Sequence, residues 1–358
     1  MQMDPATENR VARWLDERLP MSGVISFFSK KTVPRHKHSF WYYFGGLTLF
    51  FFIIQVVTGI LLALYYKPSP EQAYESVQRI VDEVPYGWLV RSIHSWTANL
   101  MIGSLFIHMF SAFLMKAYRK PRELMWISGL LLLFLVLGFC FTGYLLPWDT
   151  IAYFATLIGT EVPRTVPIVG DWGVSLLKGG EEIGAETLSR MYAIHITILP
   201  LITLVIVGFH LLMNQVFGSS VPMGVEEKMP PLPFFPNFLY RDLIAWTVGF
   251  TCLIALATLI PWGLGEKADP LASAPIGIKP EWYFLPLYQT LRMTPASVFG
   301  LNGELMVNGL VGIASVLWLC IPFLDRNSSK EKESKLFTVL GVVLICYLVV
   351  TIVLAYTT

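Results

Sequence analysis

The sequence predicts an all-α integral membrane protein of seven transmembrane helices, a four-helix bundle followed by a three-helix C-terminal half. Three observations predict it. Of 358 residues, 54% are hydrophobic and only 14% charged, and the mean hydropathy is +0.58; soluble domains carry roughly 25% charged residues. Seven apolar runs approach or exceed the ~20 residues that a helix needs to cross a hydrocarbon core. A Pro-rich segment without such a run, SSVPMGVEEKMPPLPFFPNF at 219–238, separates the fourth run from the fifth.

The chain opens with a charged segment, 1–39, in which Val11, Trp14, Leu15 and Leu19 recur at helical spacing, as in a helix lying in the membrane interface. No secretory leader is expected, because the first apolar run starts only near Phe40. Spans are expected at 40–66, 88–115, 124–146 and 191–214, giving a bundle over 40–215. Dense prolines bar a helix interior, so 216–241 reads as a linker. Spans at 243–263, 303–323 and 336–356 complete the C-terminal half, 242–358. The loops 150–190 and 264–302 are long and hold short amphipathic pieces, a pattern associated with function.

Most of the 26 basic residues fall before the first span or in the loops after the second, fourth and sixth. The positive-inside rule therefore puts the N-terminus on the cytoplasmic (n) side and the two long loops on the outer (p) side. A net charge of +1 gives no reason to expect nucleic acid. Cys140, Cys252, Cys320 and Cys346 all lie inside apolar runs, without CxxC or CxxCH spacing, and read as small buried hydrophobes.

Histidine is scarce, six in all, yet two lie in the second span and two in the fourth. His94 and His108 are separated by fourteen residues, His195 and His210 by fifteen. At about 1.5 Å per residue these are separations of about 21 and 22 Å, within roughly 40° and 60° of whole turns. Each pair thus shares a helix face at two depths. The two spans run in the same direction, so His94 meets His195 near the p side and His108 meets His210 near the n side. Two imidazoles facing each other from neighbouring helices make a bis-histidine heme site. Gly45 and Gly59 on the first span and Gly129 and Gly143 on the third repeat the fourteen-residue period. Residues without side chains would let two flat macrocycles approach the backbone. Arg91 and Arg190, at the p-side boundary, are candidates to pair with heme propionates. These residues alone leave three readings open: a quinol oxidoreductase subunit, a diheme anchor that passes electrons between a dehydrogenase and quinone, and a transporter using histidines as proton relays.

GGLTLFFFIIQVVTG, RSIHSW, KPRELMWISG, TGYLLPWD, TLSRMYAIH and PEWYFLP occur in this order. With the four histidines they make the chain resemble cytochrome b of the cytochrome bc complexes over nearly its whole length. The fifteen-residue spacing, Asp149 after Pro-Trp and the lack of an eighth span resemble the plastid type, in fused form. Tyr43 stands where the plastid type has a heme-attaching cysteine, so no covalent c-type heme is expected.

The resemblance implies two non-covalent b-type hemes, quinol oxidation at the p side, electron transfer across the membrane and quinone reduction at the n side, coupled to proton translocation. It implies a Rieske iron–sulfur protein and a c-type cytochrome as partners, a homodimeric complex and an energy-transducing membrane such as the bacterial cytoplasmic one. Gln55 falls in the heme-pocket motif of the first span. Pro280, Glu281, Trp282 and Tyr283 match the quinol-oxidation motif, with Glu281 as proton acceptor; Tyr144 and Tyr288 match aromatic positions of that pocket. Asp242 and Arg241 match the quinone-reduction site. Gln215 stands where relatives have histidine or arginine, and the Pro-Trp-Asp segment with the 150–190 loop resembles the docking surface for the Rieske domain.

Overall fold

The computed structural model describes residues 29–165, 170–225, 230–330, 332 and 334–357, with 14, 16–19 and 23. Of the N-terminal apolar stripe, Val11 and Leu15 lie outside the described residues, and Trp14 and Leu19 are exposed.

Fourteen helices are used below, in chain order. Helix α1 (Tyr43–Ala63) continues a 3-10 turn at Ser39–Tyr42, α2 is Ala73–Asp82, α3 Gly87–Leu114 and α4 Glu123–Tyr144. Short helices α5 (Thr150–Glu161) and α6 (Gly170–Lys178) follow in the long loop. The fourth span is α7 (Ala185–Ala193) and α8 (Leu199–Phe217), joined by a π turn at Ile194–Ile198. Helix α9 is Leu239–Leu259, α10 Leu285–Met293 and α11 Gly303–Leu319. Two one-turn helices, α12 (Ile321–Leu324) and α13 (Arg326–Ser329), lead into α14 (Lys335–Thr357).

Among the described residues, six helical segments are long and apolar enough to cross a membrane: Ser39–Ala63, Gly87–Leu114, Glu123–Tyr144, Ala185–Phe217, Phe234–Leu259 and Lys335–Thr357. The seventh expected span is the apolar α11, which stops short of 323. Pro322 has no amide to donate to the Trp318 carbonyl; that carbonyl accepts instead from the Cys320 amide and, at 2.9 Å, from the Trp126 indole. Helix α9 likewise ends before 263, where Ile260 leaves helical angles ahead of Pro261.

Helix α1 packs along α3, and α4 along α8; α9 lies against both α1 and α3. The inner faces form a core through Phe51, Ile102, Leu105, Phe113, Leu130 and Leu133. The outward side chains are apolar too, as at Leu201, Val205 and Val248, which suits hydrocarbon rather than water. A second core, around Leu145, Trp148, Phe154, Leu188 and Met191, fastens the loop helices onto one end of the bundle. There Asp149 caps α5 by accepting from the Ala152 amide at 2.9 Å and pairs as a bridge with Lys267. Trp148 of the Pro-Trp-Asp segment is buried rather than presented at the surface. At the other end, β1 (Thr32–Val33) pairs antiparallel with β2 (Leu232–Pro233), Val33 opposite Leu232, which ties the N-terminal segment to the linker.

The turns between α11 and α14 are held by one carboxylate. Asp325 accepts from Tyr118 Oη at 2.7 Å, Ser334 Oγ at 2.7 Å and the Ser328 amide at 3.2 Å. Burial pushes its carboxyl up, but these hydrogen bonds together outweigh burial and hold it below the usual carboxylate value. A group with a lowered folded-state pKa stabilises above its unfolded value and loses that contribution as pH falls through the folded one. Asp325→Asn should therefore lower the melting temperature at pH 7, by the equivalent of about 1–3 kcal/mol. The gap to wild type should narrow as the pH falls below the ordinary carboxylate range; a gap that stays constant with pH would contradict this.

Candidate functional site

The four histidines come together as two pairs. The rings of His108 (α3) and His210 (α8) face each other with centroids 6.5 Å apart, at 81°. His94 (α3) and His195 (π turn) lie within electrostatic reach of one another. The π turn reconciles the unequal spacings. Leu199 donates to Ile194, five residues back, so the turn absorbs one residue more than an α-helical one. Pro200, at the start of α8, has no amide to continue the ordinary ladder. His195 and His210 are thereby brought to the same face although fifteen residues separate them.

The four glycines lie against the imidazoles themselves. A Cβ on Gly143 would lie 2.5 Å from His195 Cε1, and one on Gly45 3.0 Å from His108 Cε1. On Gly129 it would lie 3.2 Å from His210, and on Gly59 3.4 Å from His94. Helices α1 and α4 each carry two notches, and each notch holds one ring.

The residue before a notch does further work, and the sequence reading missed it. Thr58 Oγ1 lies 2.8 Å from His94 Nδ1, Thr142 Oγ1 3.1 Å from His195 Nδ1, and Ser128 Oγ 2.9 Å from His210 Nδ1. Each hydroxyl donates its own proton to a carbonyl a turn back: Thr58 to Ile54, Thr142 to Gly138, Ser128 to Met125. The hydroxyl oxygen is then an acceptor toward histidine, so Nδ1 carries the ring proton and Nε2 keeps a free lone pair. The dipeptides Thr58-Gly59, Ser128-Gly129 and Thr142-Gly143 are the legible signal. Before Gly45 stands Phe44, which brings no hydroxyl to His108.

This donor set fits a heme iron. Two metal–imidazole bonds of about 2 Å, with about 1 Å from each nitrogen to its ring centre, span about 6 Å, against the observed 6.5 Å. His94 with His195, and His108 with His210, would hold two such groups. Among the described residues no cluster of three or more His, Cys, Asp or Glu suits a metal ion, and two imidazoles per iron need none. Removing one hydroxyl should be felt at the iron. Thr58→Val is expected to leave the protein folded but to shift the midpoint potential of the group at His94 by some tens of millivolts, or lower its occupancy about 10-fold. A redox titration checks this, and an unchanged titration would contradict it.

Gln55 donates to the His94 carbonyl at 2.8 Å, bracing α3 against α1. Arg91 is buried and gives its guanidinium to the carbonyls of Trp262 (2.6 Å) and Gly263 (3.0 Å). Arg190 donates to Ser175 and Leu176 carbonyls. Both arginines thus fasten loops over the His94–His195 end.

The Pro280–Tyr283 segment packs against the side of the bundle core through Trp282 and Tyr283, with the Trp282 and Phe106 ring centroids 6.2 Å apart. The Trp282 indole donates to Asn99 Oδ1 at 2.8 Å. Glu281 is half-buried among Tyr144, Tyr283 and Cys140, close enough for its charge to act on all three. Burial raises its pKa above the ordinary carboxylate value. Tyr288 donates its hydroxyl to the Ile278 carbonyl at 3.1 Å, bracing the same loop.

At the opposite end, Asp242 faces α1 where Gly46, beside the His108 notch, leaves space; a Cβ on Gly46 would lie 2.4 Å from its carboxylate. Asp242 Oδ1 is buried without a hydrogen-bond partner among the described residues. Arg241 is exposed. Gln215 accepts from Lys31 Nζ at 2.8 Å, so a cation from the N-terminal segment reaches this end, its pKa lowered by burial. Tyr43 stacks on Phe238 with centroids 5.0 Å apart.

Apolar spans enclosing paired imidazoles, three of the four with Nδ1 held by a hydroxyl, fit a membrane-bound heme protein of the electron-transfer class. Two family models match, "Cytochrome b/b6/petB" over residues 28–218 and "Cytochrome b(C-terminal)/b6/petD" over 267–358. The chain is 50% identical over 344 residues to a cytochrome bc complex cytochrome b subunit of Chlorobaculum thiosulfatiphilum, covering 95% of this chain and 79% of that one. It is 47% identical over 211 residues to cytochrome b6 of Heliobacterium mobile, covering 59% of this chain and 99% of that one. A solved structure titled "Hyperthermophilic respiratory Complex III" superposes with a TM-score of 0.85 at 30% identity, over 96% of this chain and 91% of that one. The chain belongs to the cytochrome b/b6 family, as the multi-pass cytochrome b subunit of a cytochrome bc complex, a quinol–cytochrome c oxidoreductase.

Proposed function

We propose that the chain oxidises quinol at the Glu281 end of the bundle and reduces quinone at the Asp242 end. The observation that carries this is the presence, at two depths, of facing histidines whose Nδ1 atoms are engaged at three of four positions, leaving Nε2 for iron. Two bound b-type hemes supply one-electron transfer across the bilayer. The chain's own residues handle the rest. Glu281 takes a quinol proton and releases it to the p side, and its raised pKa suits both halves of that task. Asn99 holds Trp282, and Tyr288 braces the loop, so the carboxyl stays at the quinol. Asp242 and Lys31 bring charge and protons to quinone at the n side, where the N-terminal segment lies. A Rieske protein and a c-type cytochrome take the other electron outside, and the complex is a homodimer. The test is a redox titration of the purified complex: two b-type components per chain are expected, and a single one would overturn the reading.

A further inference from the structure

Three of the four facing histidines share a device that the fourth lacks. Thr58, Ser128 and Thr142 each precede a notch glycine, and each sets a hydroxyl within 3.1 Å of a histidine Nδ1. Position 44 bears the same relation to Gly45, fourteen residues before Thr58 on α1, but it is phenylalanine. Its ring packs on Phe40 and Trp41, with centroids 5.7 Å from each. The notch itself is intact. A Cβ on Gly45 would lie 3.0 Å from His108 Cε1 and 3.3 Å from Nδ1, the same order of approach as at Gly129 and Gly143. The hydroxyls close to His108 in sequence are engaged elsewhere. Ser111 donates to the carbonyl of His108 at 2.9 Å, and Ser104, one turn earlier, lies 2.9 Å from Thr48 and bonds the Met101 carbonyl. Gly45 thus fixes where the ring sits, but no hydroxyl among the described residues fixes where its proton sits.

A neutral imidazole has one proton for two nitrogens. At the other three positions the hydroxyl oxygen holds that proton at Nδ1 and leaves Nε2 for iron. At His108 the two tautomers compete, and no such acceptor raises the basicity of the ligating nitrogen. Loss of an outer partner of this kind typically costs about 10–100-fold in metal affinity. We propose that His108 is the displaceable ligand of the four, so that heme is held less firmly at His108–His210 than at His94–His195, and that residue 44 sets the difference. This rests on the two-heme reading above.

The purified complex, in non-ionic detergent, is first titrated to count its b-type components. It is then incubated with excess apomyoglobin, and the captured heme is followed by absorbance. Wild type should release heme in two phases of equal size, the first about 10-fold faster. Phe44→Thr and Phe44→Val lose the same aromatic packing and have the same shape, but only threonine supplies a hydroxyl. The fast phase should be about 10-fold slower in Phe44→Thr than in Phe44→Val, and the slow phase alike in both. Thr58→Val should instead speed the slow phase and leave the fast one. Equal fast phases in Phe44→Thr and Phe44→Val, or equal loss of that heme from both, would overturn the proposal, because position 44 would then act by packing alone. So would a single phase in wild type that carries both hemes. One b-type component at the outset would overturn the two-heme reading, and this inference with it.

Discussion

A Gly143→Val variant should lose heme from the His94–His195 pair and keep it at His108–His210. Even the first atom of a side chain at 143 would meet His195 Cε1 at 2.5 Å, and valine adds two methyls on the same crowded side. The ring cannot yield along the helix, because Thr142 holds its Nδ1 and the π turn fixes its backbone. The expected result is about half the wild-type heme per chain, with one redox component missing from the titration. Gly208 is the control. It lies in α8 with nothing within 4 Å of an added Cβ, so Gly208→Ala should keep full heme and even gain a few tenths of a kcal/mol of helix propensity. Full heme in Gly143→Val would mean that the notch is not needed.

The second large effect is expected at Glu281. Glutamine keeps the shape but cannot take a proton, so Glu281→Gln should lower quinol oxidation roughly 10²-fold or more, with both hemes and the folded bundle retained. The base form of Glu281 exists above its raised pKa. Wild-type activity should therefore rise along an acid limb that lies above the ordinary carboxylate value of about 4.3, and the limb should vanish in the variant. Unchanged quinol oxidation would favour the rival reading, an anchor that exchanges electrons with quinone without splitting them.

Much of this was legible in the sequence because apolar length and histidine period are one-dimensional signals. The long helices fall close to the expected 40–66, 88–115, 124–146 and 336–356, and the histidines pair as expected. What was not legible depends on contacts distant along the chain. Nothing local to Arg91 shows that it donates to carbonyls more than 170 positions later. Gln215 reads as a missing cation, yet Lys31 supplies one across 184 positions. The hydroxyls at Thr58, Ser128 and Thr142 sit in apolar helices, where a threonine or serine bonding its own backbone is commonplace; only the facing histidine gives them another task. Glycine periodicity is legible, but that each glycine lies against one particular histidine ring shows only in three dimensions. The end of α11 was obscured by Pro322, whose missing donor matters only once the Trp318 carbonyl is seen to have found Trp126.

The π turn at Ile194–Ile198 means that this chain tolerates a length change where a uniform rod would not. An extra residue in a regular helix swings everything beyond it by about 100°, which would aim one of the two rings out of the bundle. Here the surplus is confined to a single wide loop of backbone next to the ring it serves. Deleting one residue other than His195 from that loop, together with Pro200→Ala, should restore plain α-geometry and leave both rings in place, whereas a deletion in the middle of α8 should turn His210 away from His108.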